Sequence, residues 1–286
     1  MNPETKKLMP GLYLVATPIG NARDITLRAL DLLASADVLA AEDTRTLRRL
    51  MEIHGIAPKD RPMISYHDHN GARVRPRLLA ELEAGKTVVY ASEAGTPLIA
   101  DPGFDLAREA TEQGFSVTSA PGASAVVTAL SIAGLPTDKF LFAGFLPNAK
   151  GQRMSALTAL RDVPATLAFY ESPKRVAAML KDAAAVLGSD RRAALCRELT
   201  KKFEECRRGT LAELSAGLAD APIKGEIVIL IDRGVPGNVS ETEITTALEL
   251  ALTEMSVRDA ADHVSGLFGV ARRPVYQQAM QLAGRK

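Results

Sequence analysis

Short apolar runs alternate with longer amphipathic stretches through the first part of the chain. The apolar runs occupy residues 12–16, 38–41, 63–66, 88–91 and 116–119. Apolar residues at helical spacing separate them, at residues 27–36, 46–54, 72–84 and 104–113. Strands that are buried on both faces are apolar throughout, and helices that connect them make the strands parallel. The alternation therefore predicts an α/β domain with a parallel sheet over residues 11–122.

A second set of strand-like runs follows Pro121-Gly122 and an apolar helix that ends at Gly134. These runs occupy residues 140–145, 166–170, 193–198, 203–208 and 226–232. The third and fourth runs are compatible with a hairpin. We therefore expect a mixed sheet in a second α/β domain over residues 123–234.

The last part of the chain, residues 238–286, is predicted to be helical. A linker that contains Gly and Pro precedes three helical patterns, at residues 241–252, 257–268 and 272–282. Gly269 separates the last two patterns, an arrangement that resembles a helix-turn-helix.

The charge balance excludes a general nucleic-acid coat. The chain has 35 Lys and Arg residues against 34 Asp and Glu residues, a formal net charge of +1. Proteins that coat nucleic acid non-specifically carry a basic excess. Any contact with nucleic acid must therefore come from a local basic patch.

Cysteine content and hydropathy predict a cytoplasmic protein. Cys196 and Cys206 are too few for a disulfide framework or a zinc ligand set, which suggests a reducing cytosol. No segment has the pattern of a signal peptide, or the length and apolarity of a membrane span. We therefore expect no contact with a membrane.

The loops after the first five predicted strands have an unusual composition. Functional groups in parallel α/β sheets collect in loops beyond the carboxyl ends of the strands. The five loops are TPIGN (17–21), EDTR (42–45), HDHN (67–70), SEAGTPLIADPG (92–103) and PGAS (121–124). Turn chemistry accounts for Gly and Pro in one or two loops, whereas five such loops on one edge predict a cleft. None matches G-x-G-x-x-G or G-x-x-x-x-G-K-[ST], which argues against an ordinary dinucleotide enzyme and a nucleoside triphosphatase.

His67 and His69 admit three interpretations. The first is that they are metal ligands, the second that they are plain polar loop residues, and the third that they contact a phosphate or sugar. Only one residue separates them, no Cys lies nearby, and no H-E-x-x-H motif occurs. We therefore predict that the chain holds no metal.

Nine motifs occur along the chain in a characteristic order. They are TPIGN (17–21), AEDTR (41–45), YHDHN (66–70), SEAGTPLIADPG (92–103), PGASAVVTALSIAGLP (121–136), GFLP (144–147), FYESPKR (169–175), RELTKKFEE (197–205) and KGEIVIL (224–230). Together they resemble the ribosomal RNA small-subunit 2′-O-methyltransferase I family, a branch of the tetrapyrrole-methylase superfamily. The match covers about residues 11–232 and is weaker in the helical tail.

The resemblance implies a fold and an activity. The fold is two α/β domains of the tetrapyrrole-methylase type (class III SAM methyltransferase) with a C-terminal helical extension. S-adenosylmethionine (SAM) would lie in the cleft between the domains. The activity would be 2′-O-methylation of one cytidine in the decoding region of 16S rRNA. The partners implied are the small ribosomal subunit and a second copy of the chain in a homodimer.

The resemblance also implies a set of cofactor contacts. By motif position they are Pro18, Ile19, Thr96, Ile99, Asp101, Ser124, Ala125, Phe169, Leu199 and Gly225.

Methylation of a ribose hydroxyl requires further groups. This hydroxyl is a poor nucleophile, so its proton must be removed or its developing charge stabilised. The catalytic candidates are Glu42, Asp43, His67, His69, Glu171 and Lys201, none of which is favoured as the base. A guanidinium matches phosphate well, and the candidate RNA contacts are Arg45, Arg175, Arg197, Arg272 and Arg273. The two in the tail are equally compatible with a helical unit that only docks on the body.

Two departures from the superfamily bear on the substrate. The tetrapyrrole branch has a Gly-rich first loop, whereas this chain has only Gly20 there, which disfavours a corrin or porphyrin. Glu93 stands where the rRNA branch often has Asp, so a carboxylate is retained. The alternatives are a tetrapyrrole (precorrin-type) small-molecule methyltransferase and a non-enzymatic nucleic-acid binder that acts through its tail.

Overall fold

The computed structural model describes residues 3–58, 60–99, 103–218, 223–234, 241–268 and 270–284. Within these residues, five parallel strands form a first sheet in the order β3-β2-β4-β1-β5. The strands are β1 (Gly11–Val15), β2 (Val38–Ala41), β3 (Met63–Ser65), β4 (Thr87–Ala91) and β5 (Val117–Ala120). The helices between them are α1 (Leu27–Ser35), α2 (Thr44–Ile53), α3 (Gly71–Glu83) and α4 (Phe104–Glu112). Each matches its predicted range to within two residues.

The central strands β2 and β4 are buried at every position. Successive side chains of a strand point to opposite faces of its sheet. Accordingly, Leu39 and Val89 pack in the core that includes α1 and α2, while Val88 and Tyr90 pack in the core that includes α3 and α4. This two-sided burial is the reason why these strands appear in the sequence as unbroken apolar runs.

A second sheet, in the part of the chain that the structure describes, has the order β6-β7-β10-β8-β9. Its strands are β6 (Phe140–Phe145), β7 (Thr166–Glu171), β8 (Arg192–Arg197), β9 (Glu205–Thr210) and β10 (Ile227–Ile231). Only β6 and β7 pair in parallel. The expected mixed sheet is confirmed, as is the hairpin, in which Cys196 of β8 lies opposite Cys206 of β9.

Four helices accompany the second sheet in the ranges described above. They are α5 (Ala125–Ala133), α6 (Lys150–Leu160), α7 (Val176–Leu187) and α8 (Leu211–Ala216). Of these, α5 is described from the sequence, and Ser172-Pro173 is compatible with the start of α7. Helix α6 buries just Arg153 and Leu157, too few residues for a visible apolar stripe, and α8 is only six residues long.

The described residues of the tail form three helices. They are α9 (Glu241–Ala251), α10 (Val257–Phe268) and α11 (Arg272–Ala283), close to the predicted ranges. They pack around a small core of their own that includes Leu248, Val264 and Val275. Gly269, the expected turn residue, lies outside the described residues. No helix in the described ranges is both long enough and apolar enough to cross a bilayer.

One ion pair is buried beneath the second sheet. The Arg153 guanidinium donates hydrogen bonds to one carboxylate oxygen of Asp182, from Nε at 2.8 Å and from Nη2 at 2.6 Å. Both side chains are less than one-tenth exposed. Arg153 also donates to the carbonyl oxygen of Asn148, so the pair attaches α6 to α7 and to the loop after β6.

Loss of one partner should be far more costly than loss of both. We expect Asp182→Ala to lower the free energy of unfolding by about 3–5 kcal/mol, because it leaves a buried guanidinium without its counter-charge. The double variant Arg153→Met, Asp182→Leu should recover most of that loss. Urea unfolding at 25 °C measures both values.

Glu4→Ala is the control for this experiment, because the Glu4–Lys6 ion pair is about two-thirds exposed. It should change the free energy of unfolding by less than about 1 kcal/mol. An Asp182→Ala variant as stable as Glu4→Ala would contradict the role given to the buried pair.

Candidate active site

A cavity of about 700 Å³ opens at the carboxyl ends of β1, β2 and β4. From the first half of the chain it is lined by Thr17, Pro18, Ile19, Gly20, Ala22, Glu42, Thr46, Arg49, Leu50, Ile53, Glu93, Ala94, Gly95, Thr96, Ile99, Ser124 and Ala125. From the second half it is lined by Phe145, Tyr170, Lys201 and Glu226. The cavity therefore lies where the loops of the two sheets meet, whereas the loop compositions predict only a cleft at the edge of the first sheet.

A smaller cavity of about 350 Å³ adjoins it and shares part of its wall, including Ile19 and Tyr170. It continues toward Leu199, Gly225 and Val228 of the second sheet. Its wall is more apolar than that of the larger cavity, which has more of the charged side chains, among them Glu42, Glu93 and Lys201.

Hydrogen bonds hold three of the first-half loops together. Thr17 and Gly95 exchange two backbone hydrogen bonds, at 2.9 and 3.0 Å, which join the loops after β1 and β4. The Thr96 hydroxyl donates to the carbonyl oxygen of Ala123 at 2.9 Å, which joins the loop after β4 to the one after β5. The cavity wall on this side is thus built from one connected set of loops.

The first loop also contacts the loop between β8 and β9. The Asn21 N–H donates to the Thr200 hydroxyl at 3.0 Å. Gly20 approaches Lys201 so closely that a Cβ atom at Gly20 would lie 2.5 Å from the Lys201 Cγ. Glycine is therefore required here by packing between the two halves of the chain.

Backbone strain is concentrated in the cavity loops. Among the described residues other than glycine, Leu98, Glu198 and Thr200 have positive φ angles, of 70°, 51° and 64°. Such conformations cost about 1–3 kcal/mol each and persist only where the surroundings impose them. Their positions beside the cavity are typical of loops that are shaped for function.

Among the described residues, the carboxylates that line the larger cavity are Glu42, Glu93 and Glu226, and we call them the carboxylate cluster. Burial, together with the negative charges of Glu42, Asp43 and Glu226, raises the pKa of Glu93. A cationic ligand would stabilise the ionised form of Glu93 and so oppose the increase in its pKa that the neighbouring carboxylates cause. The cluster is therefore suited to a positively charged group.

Lys201 is held between two carboxylates. Its Nζ donates to Glu198 at 3.0 Å and to Glu226 at 2.9 Å. Partial burial lowers the pKa of Lys201, but the hydrogen bonds with Glu226 and Glu198 outweigh burial and raise it overall. Lys201 is consequently an ammonium at neutral pH, which suits charge stabilisation rather than proton removal.

Most of the candidate cofactor contacts lie around the two cavities. The larger cavity is lined by Pro18, Ile19, Thr96, Ile99, Ser124 and Ala125, and the smaller one by Leu199 and Gly225. Phe169 is fully buried in the core on the other face of the second sheet, and its neighbour Tyr170 faces the cavities instead. Asp101 lies outside the described residues.

The candidate catalytic residues are more dispersed. Glu42 and Lys201 line the larger cavity. Glu171 is buried beside the smaller one, and its Oε2 has no hydrogen-bond partner among the described residues. Asp43 caps α2, and hydrogen bonds from the Arg45 side chain and backbone N–H lower the pKa of Asp43 to about 2.

The two histidines lie apart from this site. His67 lines a different cavity, of about 230 Å³, together with Arg75 and Phe104. The His69 ring stands edge-on to His67, with centroids 6.0 Å apart. No group of three or more His, Cys, Asp or Glu side chains in the described ranges is arranged to hold a metal ion.

The candidate RNA-binding arginines differ in how far they are engaged. Arg175 donates to the carbonyl oxygen of Leu146 and lies 3.3 Å from the Glu171 carboxylate. Arg197 donates to Glu205 at 2.6 Å.

The other arginines of this set are more accessible. Arg45 pairs with Asp43, and its side chain is 90% exposed. In the tail, Arg272 pairs with Asp262 and lies over the Tyr276 ring, while Arg273 is exposed.

Sequence reasoning missed several lining residues, among them Phe145, Tyr170 and one face of α2. Thr46, Arg49, Leu50 and Ile53 line the cavity at the spacing i, i+3, i+4 and i+7. That spacing was available as a helical-face pattern directly after the second loop.

Comparisons with known proteins agree with this geometry. The model of the Tetrapyrrole (Corrin/Porphyrin) Methylases matches residues 11–215, and that of the RsmI C-terminal HTH domain matches residues 238–283. The Ribosomal RNA small subunit methyltransferase I of Mesorhizobium japonicum is 46% identical over 279 residues, which cover 97% of this chain and 94% of the relative.

Two solved structures share the fold. Diphthine synthase has a TM-score of 0.60 at 15% identity, over 77% of this chain and 89% of that one. Uroporphyrin-III C-methyl transferase from Thermus thermophilus, complexed with S-adenyl homocysteine, has a TM-score of 0.54 at 20% identity, over 77% of this chain and 96% of that one. The family matches span most of the sequence, and the chain belongs to the tetrapyrrole methylases and, within them, to the ribosomal RNA small subunit methyltransferase I family.

Proposed function

We propose that this chain binds SAM in the two adjoining cavities and methylates the ribose 2′-hydroxyl of one cytidine in the decoding region of 16S rRNA. The observation that carries the proposal is the carboxylate cluster in a cavity to which both sheets contribute. Membership of the rRNA methyltransferase family supports this substrate over a tetrapyrrole.

The residues around the cavities fit this cofactor. SAM carries a sulfonium cation, which the carboxylate cluster would attract. Ile19, Leu199 and Val228 provide apolar surface for an adenine ring in the smaller cavity. Glu171 lies in the wall of the smaller cavity, where its Oε1 accepts a hydrogen bond from the Ser172 N–H at 2.7 Å.

We assign the remaining cofactor contacts by the same proximity. Pro18, Thr96, Ile99, Ser124, Ala125 and Gly225 are proposed to hold SAM, largely through backbone groups. The contacts of Phe169 would be made through its backbone, since its side chain is buried elsewhere. Asp101 remains a prediction from the motif.

When bound, SAM supplies an electrophilic methyl group, while the protein supplies position and electrostatics. Glu42 is proposed to accept the proton of the ribose hydroxyl, because it lines the cavity and has no ion pair among the described residues. Lys201, as an ammonium, would stabilise the charge that develops on that oxygen. Glu171 would orient the ligand, and Asp43 would fix α2 and Arg45.

We also propose roles for the two α/β domains, the helical tail and strand β6. The cofactor is proposed to lie between residues 11–122 and 123–234, while residues 238–286, with Arg272 and Arg273, contact RNA. Exposed apolar side chains on the edge strand β6, such as Phe140 and Leu141, support a homodimer. The ribosomal substrate implies a cytoplasmic protein.

Small ribosomal subunits from a strain without this methyltransferase test the proposed function. Incubation with the protein and radiolabelled SAM should add one ribose methyl group, which mass mapping should locate at a cytidine of the decoding region. Short naked oligonucleotides of the same sequence should react far more slowly, because the balanced net charge gives little general affinity for RNA. Unmodified subunits would contradict the activity, and equal rates would contradict the need for an assembled subunit.

The carboxylate cluster should distinguish SAM from its neutral product. We expect Glu93→Gln to weaken SAM binding roughly three- to tenfold, because it removes a negative charge near the sulfonium. S-adenosylhomocysteine, which lacks that charge, should bind almost unchanged. Calorimetric titrations measure both affinities, with Glu83→Gln, which does not line either cavity, as the control.

The same electrostatics give a pH dependence. Because the pKa of Glu93 is raised, its carboxylate is lost at a higher pH than that of an ordinary glutamate. The preference for SAM over S-adenosylhomocysteine should fall as the pH is lowered through this raised pKa, and Glu93→Gln should flatten the profile. An unchanged preference in Glu93→Gln would refute the assigned role of the cluster.

A further inference from the structure

We infer that Arg49, on the cavity-facing side of α2, binds a phosphate next to the target nucleotide and thereby positions the ribose for methyl transfer. This inference rests on the proposed function and assigns the phosphate contact within it. It replaces neither the tail nor Arg45 as a source of general attraction for RNA.

Arg48 and Arg49 of α2 differ in their position relative to the cavity. Leu47 and Met51 are buried against the first sheet, which fixes the rotation of the helix. Arg49 falls on the side that lines the cavity, together with Ile53. Arg48 is also exposed but does not line the cavity. Two adjacent arginines of one helix therefore differ mainly in their access to the site.

The distribution of charge in the cavity favours phosphate binding at Arg49. The carboxylate cluster repels an anion, and Asp43 at the start of α2 adds to that repulsion. The cations among the lining residues that the structure describes are Lys201 and Arg49. Lys201 is held by two carboxylates, whereas Arg49 has no ion pair among the described residues.

The arginines outside the cavity do not substitute for Arg49. Arg175 and Arg197 donate to groups of the protein, and Arg45 pairs with Asp43. A guanidinium has a strong affinity for phosphate and presents its donors in a fixed fork. An unpaired guanidinium in the wall of an otherwise acidic cavity is therefore matched to one phosphate of a polyanion whose ribose enters the site.

Apolar surface lies beside Arg49. Ile53 is 56% exposed and Ile99 is 41% exposed, and both line the same cavity. Exposed isoleucines next to a guanidinium provide apolar contact for a base beside the phosphate contact. Together they match the chemistry of a nucleotide.

Steady-state methylation of small ribosomal subunits tests the inference. The variants are Arg49→Glu, Arg49→Lys and the matched control Arg48→Glu, which carries the same charge change on the same helix. We expect Arg49→Glu to raise the KM for subunits about tenfold or more. The slope of log KM against log salt concentration should fall by about 1, which corresponds to the loss of one phosphate contact. Arg49→Lys should lose less, and Arg48→Glu should stay within about threefold of the unaltered protein.

Calorimetric binding of S-adenosylhomocysteine separates substrate contact from cofactor contact and from misfolding. Its affinity should be unchanged in all three variants. An Arg49→Glu variant with the KM of Arg48→Glu, or one that loses S-adenosylhomocysteine, would overturn the inference. If the unaltered protein methylates no subunits, the proposed function fails and this inference fails with it, whereas active protein with an equally active Arg49→Glu variant overturns the inference alone.

Discussion

The packing of helix α5 joins the two halves of the molecule and creates the site. Val126, Ala129 and Leu130 of α5 share one buried core with Ile19 of the first loop and with Leu199 beside β8. Burial of each large apolar side chain contributes about 1.5–3 kcal/mol, so this core is costly to open. Because α5 follows β5 directly, the same packing brings the loops of the first sheet against those of the second. The cavities are the space that remains between them.

Charge within the larger cavity is divided between two kinds of group. The carboxylate cluster attracts a cation and repels phosphate, while the Lys201 ammonium donates hydrogen bonds to Glu198 and Glu226. Of the α2 residues that line the cavity in the described part of the chain, Arg49 is the one that carries a charge. Such a division allows a cationic cofactor and a polyanionic substrate to approach the same cavity without competing for one set of groups. It also explains how a chain with a net charge of +1 can act on RNA.

The sequence predicts the first sheet well and the site only in outline. Strands such as β2 and β4 are recognisable because two-sided burial leaves an unbroken apolar run. The cavity follows from the loops at one edge of that sheet. Side-chain direction is less accessible, since Phe169 and Tyr170 differ by one position and face opposite sides of their sheet. Tertiary contacts also determine which arginines are paired, and no local sequence pattern shows them. Arg175 donates to a carbonyl oxygen, whereas Arg49 has no ion pair among the described residues.

The central claim is that one cofactor occupies both adjoining cavities, between the loops of the two sheets. A crystal structure of the protein with S-adenosylhomocysteine measures this directly. We predict ligand density that reaches from the loop at Ser124 to the loop at Gly225, with the sulfur nearest the carboxylate cluster. Density in the separate cavity beside His67 and Phe104, with none between the two sheets, would contradict it.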